Sequence, residues 1–388
     1  MEIDRSTHSP IGRLVAINGK HRGREFSHYA YIPSPLPSQL TLETGTWQEL
    51  AHAALALGRL DGAGGQLPDP GVLTRPAIRR EAVSTSALEG TYTTLPQVLQ
   101  SELFQGEERP DQDVHEVLAY VRAAEAGYEW VKERPVTLNM IKALQGILMQ
   151  DDPDCAPHEQ GDFRQRQNFI GPRDARVEDA LFVPPPAELL TESLNQWELW
   201  IHDQEIPLLI RVALGHYQFE TIHPFVDGNG RIGRLIAVLL LLEEGVLTIP
   251  TLNISPYLEE HREAYQSNLR NVSATGDYDP WIRFFLVGLR VQCQRALDKT
   301  SRLVALRDDI VARLRERRIR GTAIQVAEDL IGNPILAPSD LSRRYNVTYQ
   351  AAAYTLGRLV EAGIVESVNY RSNRRLFVAR PVLEILNE

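Results

Sequence analysis

The chain is poor in cysteine: Cys155 and Cys293 are the only two in 388 residues, far apart and in no metal-ligand spacing. That excludes a disulfide scaffold and a cysteine-built zinc site, and reduced thiols are the expectation. No apolar run approaches the ~18 residues of a membrane span. The opening MEIDRSTHSPIGR lacks the basic-then-apolar order of a signal peptide. A soluble, cytoplasmic protein with no membrane partner is expected. An excess of basic charge is missing too. The net charge of −10 argues against whole-chain affinity for nucleic acid or anionic lipid, although a local basic face stays open. What is present is an ordinary globular composition, 43% hydrophobic and 24% charged. The length allows about two to three domains.

The informative stretch is His223-Pro-Phe-Val-Asp-Gly-Asn-Gly-Arg-Ile-Gly-Arg234. His223 is a side chain whose ordinary pKa lets it take a proton near neutrality. Asp227 is a hard carboxylate suited to Mg²⁺. Gly228, Asn229 and Gly230 form backbone that can turn sharply and aim N–H groups at an anion. Arg231 and Arg234 place two guanidinium groups one turn apart. The apolar run at 235–242 predicts a buried helix, so the glycines stand at a helix N-terminus that favours phosphate. A second core helix is predicted over 205–221, with Leu209, Val212, Ala213 and Tyr217 inward.

Elsewhere the first ~45 residues, rich in Pro, Ser and Gly, predict extended chain. Helices are predicted over 46–60, 76–88, 95–104, 113–133, 137–149, 187–201, 257–271 and 281–297. Pro76 is expected near a first turn and Gly90 just past a helix end. Residues 165–183 alternate around an acidic tip and predict a β-hairpin. A charged helix over 297–320, with Leu303, Leu306, Ile310 and Leu314 on one stripe, reads as a connector or as a face for a second copy in a homodimer. From 321 the pattern changes to helices at 323–331, 337–344 (with Ser339 as cap) and 348–362, then strands at 363–370 and 374–378. Three helices and a hairpin resemble a winged helix-turn-helix, with Tyr349, Gln350 and Tyr354 facing out and DNA as a candidate partner. Seven arginines face five acidic residues over 338–388, a net of +2, which does not decide between DNA and protein.

Position for position, the 223–234 stretch resembles the signature of the Fic family, H-x-F-x-[DE]-G-N-G-R-x-x-R. The resemblance covers most of 75–290. It implies a mostly α fold: a Fic helical core with a β-hairpin flap, here joined to the C-terminal winged helix. The domains expected are 1–110 with an inhibitory helix at about 76–90, a catalytic core at 111–296, a linker helix at 297–320 and the winged helix at 321–388.

The resemblance further implies a protein adenylyltransferase that moves AMP from ATP to a Ser, Thr or Tyr hydroxyl of a target and of itself. His223 would be the base and Asp227 the Mg²⁺ ligand. Gly228, Asn229, Gly230, Arg231, Ile232, Gly233 and Arg234 would hold the nucleotide, with Tyr265 near the adenine. Thr85-Ser-Ala-Leu-Glu89-Gly90 resembles the family's inhibitory motif, [ST]-x-x-x-E-[GN], whose glutamate, here Glu89, would pair with Arg234. Asn168, Phe169, Ile170 and Gly171 stand where relatives carry N-W-I-G, in a flap over the site. Two rivals remain: removal of AMP from a modified target, and an ATP-sensing winged-helix regulator.

Overall fold

The structure is a computed structural model that describes residues 8–21, 23–64, 71–104, 110–150, 152–153, 155–171, 176–370 and 374–388. The chain divides into two compact units, each built from separated stretches of sequence. One comprises Met1–Gly58, Arg122–Leu247 and Ile254–Gln292; the other comprises Arg59–Val121, Thr248–Asn253 and Cys293–Glu388. Three helices run through a boundary between them: α1 (Thr44–Gly64), α4 (Gln112–Trp130) and α11 (Asp279–Glu316).

The first unit opens with a finding that the composition concealed. Residues expected as loose extended chain form an antiparallel hairpin of β1 (Gly12–His21) and β2 (Arg24–Pro33), in register from Gly12 opposite Pro33 to His21 opposite Arg24. Gly23, at φ 79°, supplies the left-handed turn residue. β1 carries no clean alternation of buried and exposed residues, which hides it from a period-two reading.

The unit's core is helical: α5 (Leu138–Leu148), α6 (Leu190–Ile201), α7 (Leu208–Ile222), α8 (Asn229–Glu243), α9 (Ser255–Glu260), α10 (Arg262–Thr275) and the start of α11. Thr137 caps α5 by accepting the Met140 N–H at 3.3 Å. α8 is buried from Asn229 to Leu241, as its all-round apolar composition predicts. The neighbouring α7 is buried along almost its whole length. Two tryptophans pin α7 from outside. Trp197 Nε1 donates to Gly215 O at 2.8 Å, and Trp281 Nε1 donates to Ala213 O at 2.9 Å. The single helix expected over 257–271 is broken at His261.

The hairpin expected over 165–183 is not a ladder. It is one isolated bridge, Ile170 opposite Phe182, beside a 3-10 turn at Val177–Asp179; the tip at 172–175 lies outside the described residues. The pattern of alternation was real, but the N-terminal hairpin takes up the edge instead: Tyr31 N–H donates to Val183 O at 2.9 Å.

The second unit contains α2 (Gly71–Glu89), α3 (Leu95–Leu103), α12 (Thr322–Asp329), β3 (Ile335–Leu336), α13 (Pro338–Tyr345), α14 (Tyr349–Glu361), β4 (Glu366–Tyr370), β5 (Arg374–Val378) and α15 (Arg380–Asn387). Pro76 lies inside α2 rather than at its start. Arg79, nearly buried, joins α2 to α3 through Glu102, with Nη2 to Oε1 at 2.6 Å and Nε to Oε1 at 3.0 Å. Thr94 and Gln97 form a capping box at the start of α3.

The two helices expected at 281–297 and 297–320 are one, because no Gly or Pro breaks the join. The stripe Leu303, Leu306, Ile310 and Leu314 is not a face for a second copy; it packs within this unit's own apolar core. The sheet order is β3-β5-β4, all antiparallel. Ser339 is not the cap of α13, since Ala337 holds that place with Pro338 as first helical residue. α15 was not foreseen; Pro381 stands in its first turn, where its missing N–H costs nothing. The turn at 371–373 lies outside the described residues.

Candidate active site

Everything in the first unit converges on the loop between α7 and α8. His223 ends α7 in the left-handed conformation, φ 50°, an uncommon place for a residue with a Cβ. Its N–H donates back to Phe219 O at 2.9 Å, the bond that closes such a helix end. On the other side Arg164 clamps its carbonyl, with Nε donating to His223 O at 2.8 Å. The same guanidinium donates to Arg166 O at 3.1 Å, Pro185 O at 2.5 Å and Ile222 O at 3.3 Å, while Arg164 N–H donates to Pro224 O at 2.9 Å. Burial pushes the Arg164 pKa down to about 10, opposed by Glu188, so it stays charged at neutral pH.

The His223 ring is half-buried, and its Nδ1 lies 3.3 Å from Glu220 O. A carbonyl only accepts, so Nδ1 carries the proton in that bond. Nε2 is then the ring's accepting nitrogen, the tautomer a general base needs.

Phe225 is held on both of its backbone groups. Its N–H donates to Asn229 Oδ1 at 2.8 Å, and its carbonyl accepts from Asn229 Nδ2 and from Asn168 Nδ2, each at 2.8 Å. These bonds occupy the Asn229 side chain. Its side chain fixes the loop, and only its backbone is available to an anion. Gln145, fully buried, braces the same loop by donating to Asp227 O at 3.2 Å and accepting from Gly161 N–H at 2.5 Å.

Gly228, at φ 83°, caps α8, and a Cβ there would also meet Leu148 and Met149 at 3.0 and 3.2 Å. Arg231 and Arg234 follow in the first turns of α8, both almost fully buried. Two guanidinium groups thus stand near a helix N-terminus, where the helix dipole adds to their charge. Asp227 is the exposed member, its side chain 56% accessible, with Oδ1 accepting from Gly228 N–H at 2.5 Å and 3.4 Å from Arg231 Nη2. Ile232 is buried core, and Gly233 lies where α7 and α8 meet.

Tyr265, expected near the adenine, is 5% exposed, and its hydroxyl lies 2.8 Å from His216 Nε2 in a cluster with Trp281. Behind it Ser273 is buried, its hydroxyl 2.9 Å from that of Tyr217. On the flap, Phe169 fills the place of a tryptophan by packing edge-on to His21 and Phe26, at ring distances of 5.0 and 5.2 Å. Arg164, Gln145 and His216 were missed in the sequence. A lone Arg, Gln or His has no spacing to announce it, and their signal is the burial seen only in the fold.

The comparisons with known proteins agree with this geometry. The family described as "Fic/DOC family N-terminal" matches residues 47–129, and that described as "Fic/DOC family" matches residues 135–241, which includes the loop and most of α8. The chain thus carries a Fic/DOC N-terminal region followed by a Fic/DOC domain. It is similar to the protein adenylyltransferase Fic of Aedes aegypti, 34% identical over 131 residues that make up 33% of this chain and 23% of that one. The chain thus spans about a quarter of the length of that curated relative. Among solved structures it is similar to a Fic family protein from Desulfovibrio desulfuricans G20, with TM-score 0.56 and 22% identity over 88% of this chain and 97% of that one. It also resembles Fic-1 from C. elegans, with TM-score 0.50 and 21% identity over 65% of this chain and 73% of that one.

Proposed function

We propose that the chain transfers AMP from ATP to a Ser, Thr or Tyr hydroxyl of a target protein and of itself, with release of pyrophosphate. The observation that carries this reading is His223. It is fixed at a strained helix end, in the tautomer of a base, next to a helix N-terminus lined by Arg231 and Arg234. The naming of the Aedes aegypti relative as a protein adenylyltransferase supports the same reaction.

In this reading His223 Nε2 takes the hydroxyl proton as the oxygen attacks the α-phosphorus. The bond from that phosphorus to the bridging oxygen breaks, and pyrophosphate carries away the electron pair. The N–H groups of Gly228–Gly230 hold phosphate oxygens, while Arg231 and Arg234 hold the β- and γ-phosphates. Asp227 suits Mg²⁺: it is one exposed carboxylate, and among the described residues no group of three His, Cys, Asp or Glu could enclose an ion. Mg²⁺ is commonly held by one or two carboxylates together with phosphate oxygens and water. When bound, the ion supplies charge neutralisation at the phosphates.

The flap at Asn168–Gly171 would present the target as an added strand. Asn168 ties that strand to the catalytic loop through Phe225 O, which supports this role. Restraint belongs to Glu89. It is the last residue of α2, exposed, with Gly90 at φ 98° behind it and Thr85 one turn earlier. A carboxylate paired with Arg234 would take the charge meant for the γ-phosphate. α12–α14 with β3–β5 would form a winged helix.

The test is incubation with Mg²⁺ and ATP labelled on either the α- or the γ-phosphorus. Label from the α-position on the protein, with none from the γ-position, supports the reading; the reverse makes the chain a phosphotransferase.

A further inference from the structure

The C-terminal helices carry a surface that nucleotidyl transfer does not use. α13 ends at Asn346, in the left-handed conformation at φ 52°, whose N–H donates to Ser342 O. Ser342 Oγ donates to Val347 O at 2.6 Å, and Thr348 then caps α14 by accepting the Ala351 N–H at 3.2 Å. Two short helices are therefore joined by a rigid three-residue turn. α14 keeps Ala352, Leu356 and Leu359 in the unit's core. Its other side is open: Thr348, Gln350 and Ala351 are exposed, Tyr349 is 57% and Tyr354 68% accessible, and Arg358 lies over the Tyr354 ring at 6.0 Å.

Charge decides what this surface fits. From Leu341 to Val360 the sequence holds Arg343, Arg344 and Arg358 and no acidic residue. Arg343 and Arg344 share one acid, Asp340, at 3.0 and 2.6 Å, which leaves the pair of helices a net positive charge, and the Arg343 side chain is 75% exposed. The β4–β5 hairpin adds exposed Arg375 opposite Asn369, toward the turn. The acid of that hairpin, Glu366, pairs with Arg380 at the opposite end of β4. Exposed cations thus stand near the turn end of the hairpin, at Arg375, and on α13, at Arg343, although the whole chain is acidic.

We propose that this surface binds double-stranded DNA, with α14 in the major groove. That groove is about 12 Å wide and admits a helix. Gln350, in the first turn of α14, is placed to reach base edges, where an amide side chain reads adenine; Tyr349 and Tyr354 add contacts to bases and sugar. Arg343, Arg375 and the α14 N-terminus meet phosphates on either side. An A-form RNA duplex does not fit, because its major groove is too deep and narrow for side chains to read. The inference stands apart from the transfer reading.

The test uses the full chain and a fluorescent pool of random-sequence DNA duplexes. Anisotropy is followed across salt concentrations, and the bound fraction is sequenced. Wild type is expected to bind with an affinity that falls steeply with salt and to enrich a common sequence. Arg375→Gln should weaken binding to all sequences and reduce the salt slope by about one. Gln350→Ala should relax the enriched sequence at one position by about tenfold. The proposal is overturned if the folded chain fails to bind at the lowest salt, which would leave the face to a protein partner. It is overturned equally if RNA duplex competes as well as DNA, or if the enriched sequence is unchanged in Gln350→Ala. Label transfer from ATP, run on the same samples, keeps the two readings apart: His223→Ala should bind DNA normally, and Arg375→Gln should label normally.

Discussion

The Nε of Arg164 donates to the carbonyl of His223 at 2.8 Å, so a buried cation fixes the backbone of the histidine proposed as the base. Its other bonds run to Arg166, Pro185 and Ile222, which ties the two arms of the flap to the end of α7. No single acid partners it at contact distance in this set of bonds; main-chain oxygens take the charge.

Arg164→Met is therefore expected to leave several buried carbonyls without donors and to destabilise the first unit by about 3–5 kcal/mol. The thermal midpoint should fall by about 6–20 °C. Arg164→Lys should recover little, since one ammonium cannot reproduce the planar fork. Calorimetry on the two variants checks the stability. Label transfer at a temperature where both remain folded should still be down by about a hundredfold, the signature of a displaced base.

Gly233 is where α7 and α8 touch. A Cβ there would stand 2.5 Å from Glu220 Oε1, 3.1 Å from the Phe219 ring and 3.3 Å from His216 Nδ1. Gly233→Ala should cost about 1–3 kcal/mol through overpacking, despite alanine's better helix propensity. Denaturant unfolding measures it, and an unchanged or raised midpoint would show that Glu220 swings away freely.

His216 sets a pH dependence. Burial, with the neighbouring Arg234 charge, pushes its pKa down to about 3, from an ordinary value of 6.5. The folded state thus holds it neutral while the unfolded chain takes up a proton. Its contribution is fully present above about pH 6.5 and is lost as pH falls toward about 3, by up to about 1.4 kcal/mol per pH unit. Stability of wild type should decline more steeply from about pH 6 to 4 than that of His216→Gln, which keeps a polar partner for the Tyr265 hydroxyl and cannot titrate there. Parallel slopes for the two proteins would contradict the assignment.

The site was legible in the sequence where chemistry is packed into consecutive residues. His223, Asp227, Gly228 and Gly230 announce themselves because a base, a carboxylate and an anion-binding turn come in consecutive residues. The supports were not legible. Arg164 lies 59 positions from His223, and nothing local marks it as buried. The place of Asn229 in a phosphate-loving turn suggested a ligand contact, and nothing local showed that its side chain closes on Phe225. Tyr265 was expected near the nucleotide only through the family resemblance, and its burial was not legible in the sequence.

The fold shows the same division. Helices such as α6 and α7 were readable from the spacing of their apolar residues. The β1–β2 hairpin was not, because its burial pattern does not alternate and prolines follow it. The long α11 was divided in reading because its composition turns from apolar to charged midway, though its backbone continues.

The central claim is transfer of AMP by His223 under restraint by Glu89. Its most direct test is intact mass after incubating wild type, Glu89→Gly and Glu89→Gly/His223→Ala with Mg²⁺ and ATP. The account predicts little change in wild type, a gain of one AMP or more in Glu89→Gly, and none in the double variant. A Glu89→Gly protein that binds ATP yet stays unmodified, or a double variant modified as readily as the single one, would contradict it.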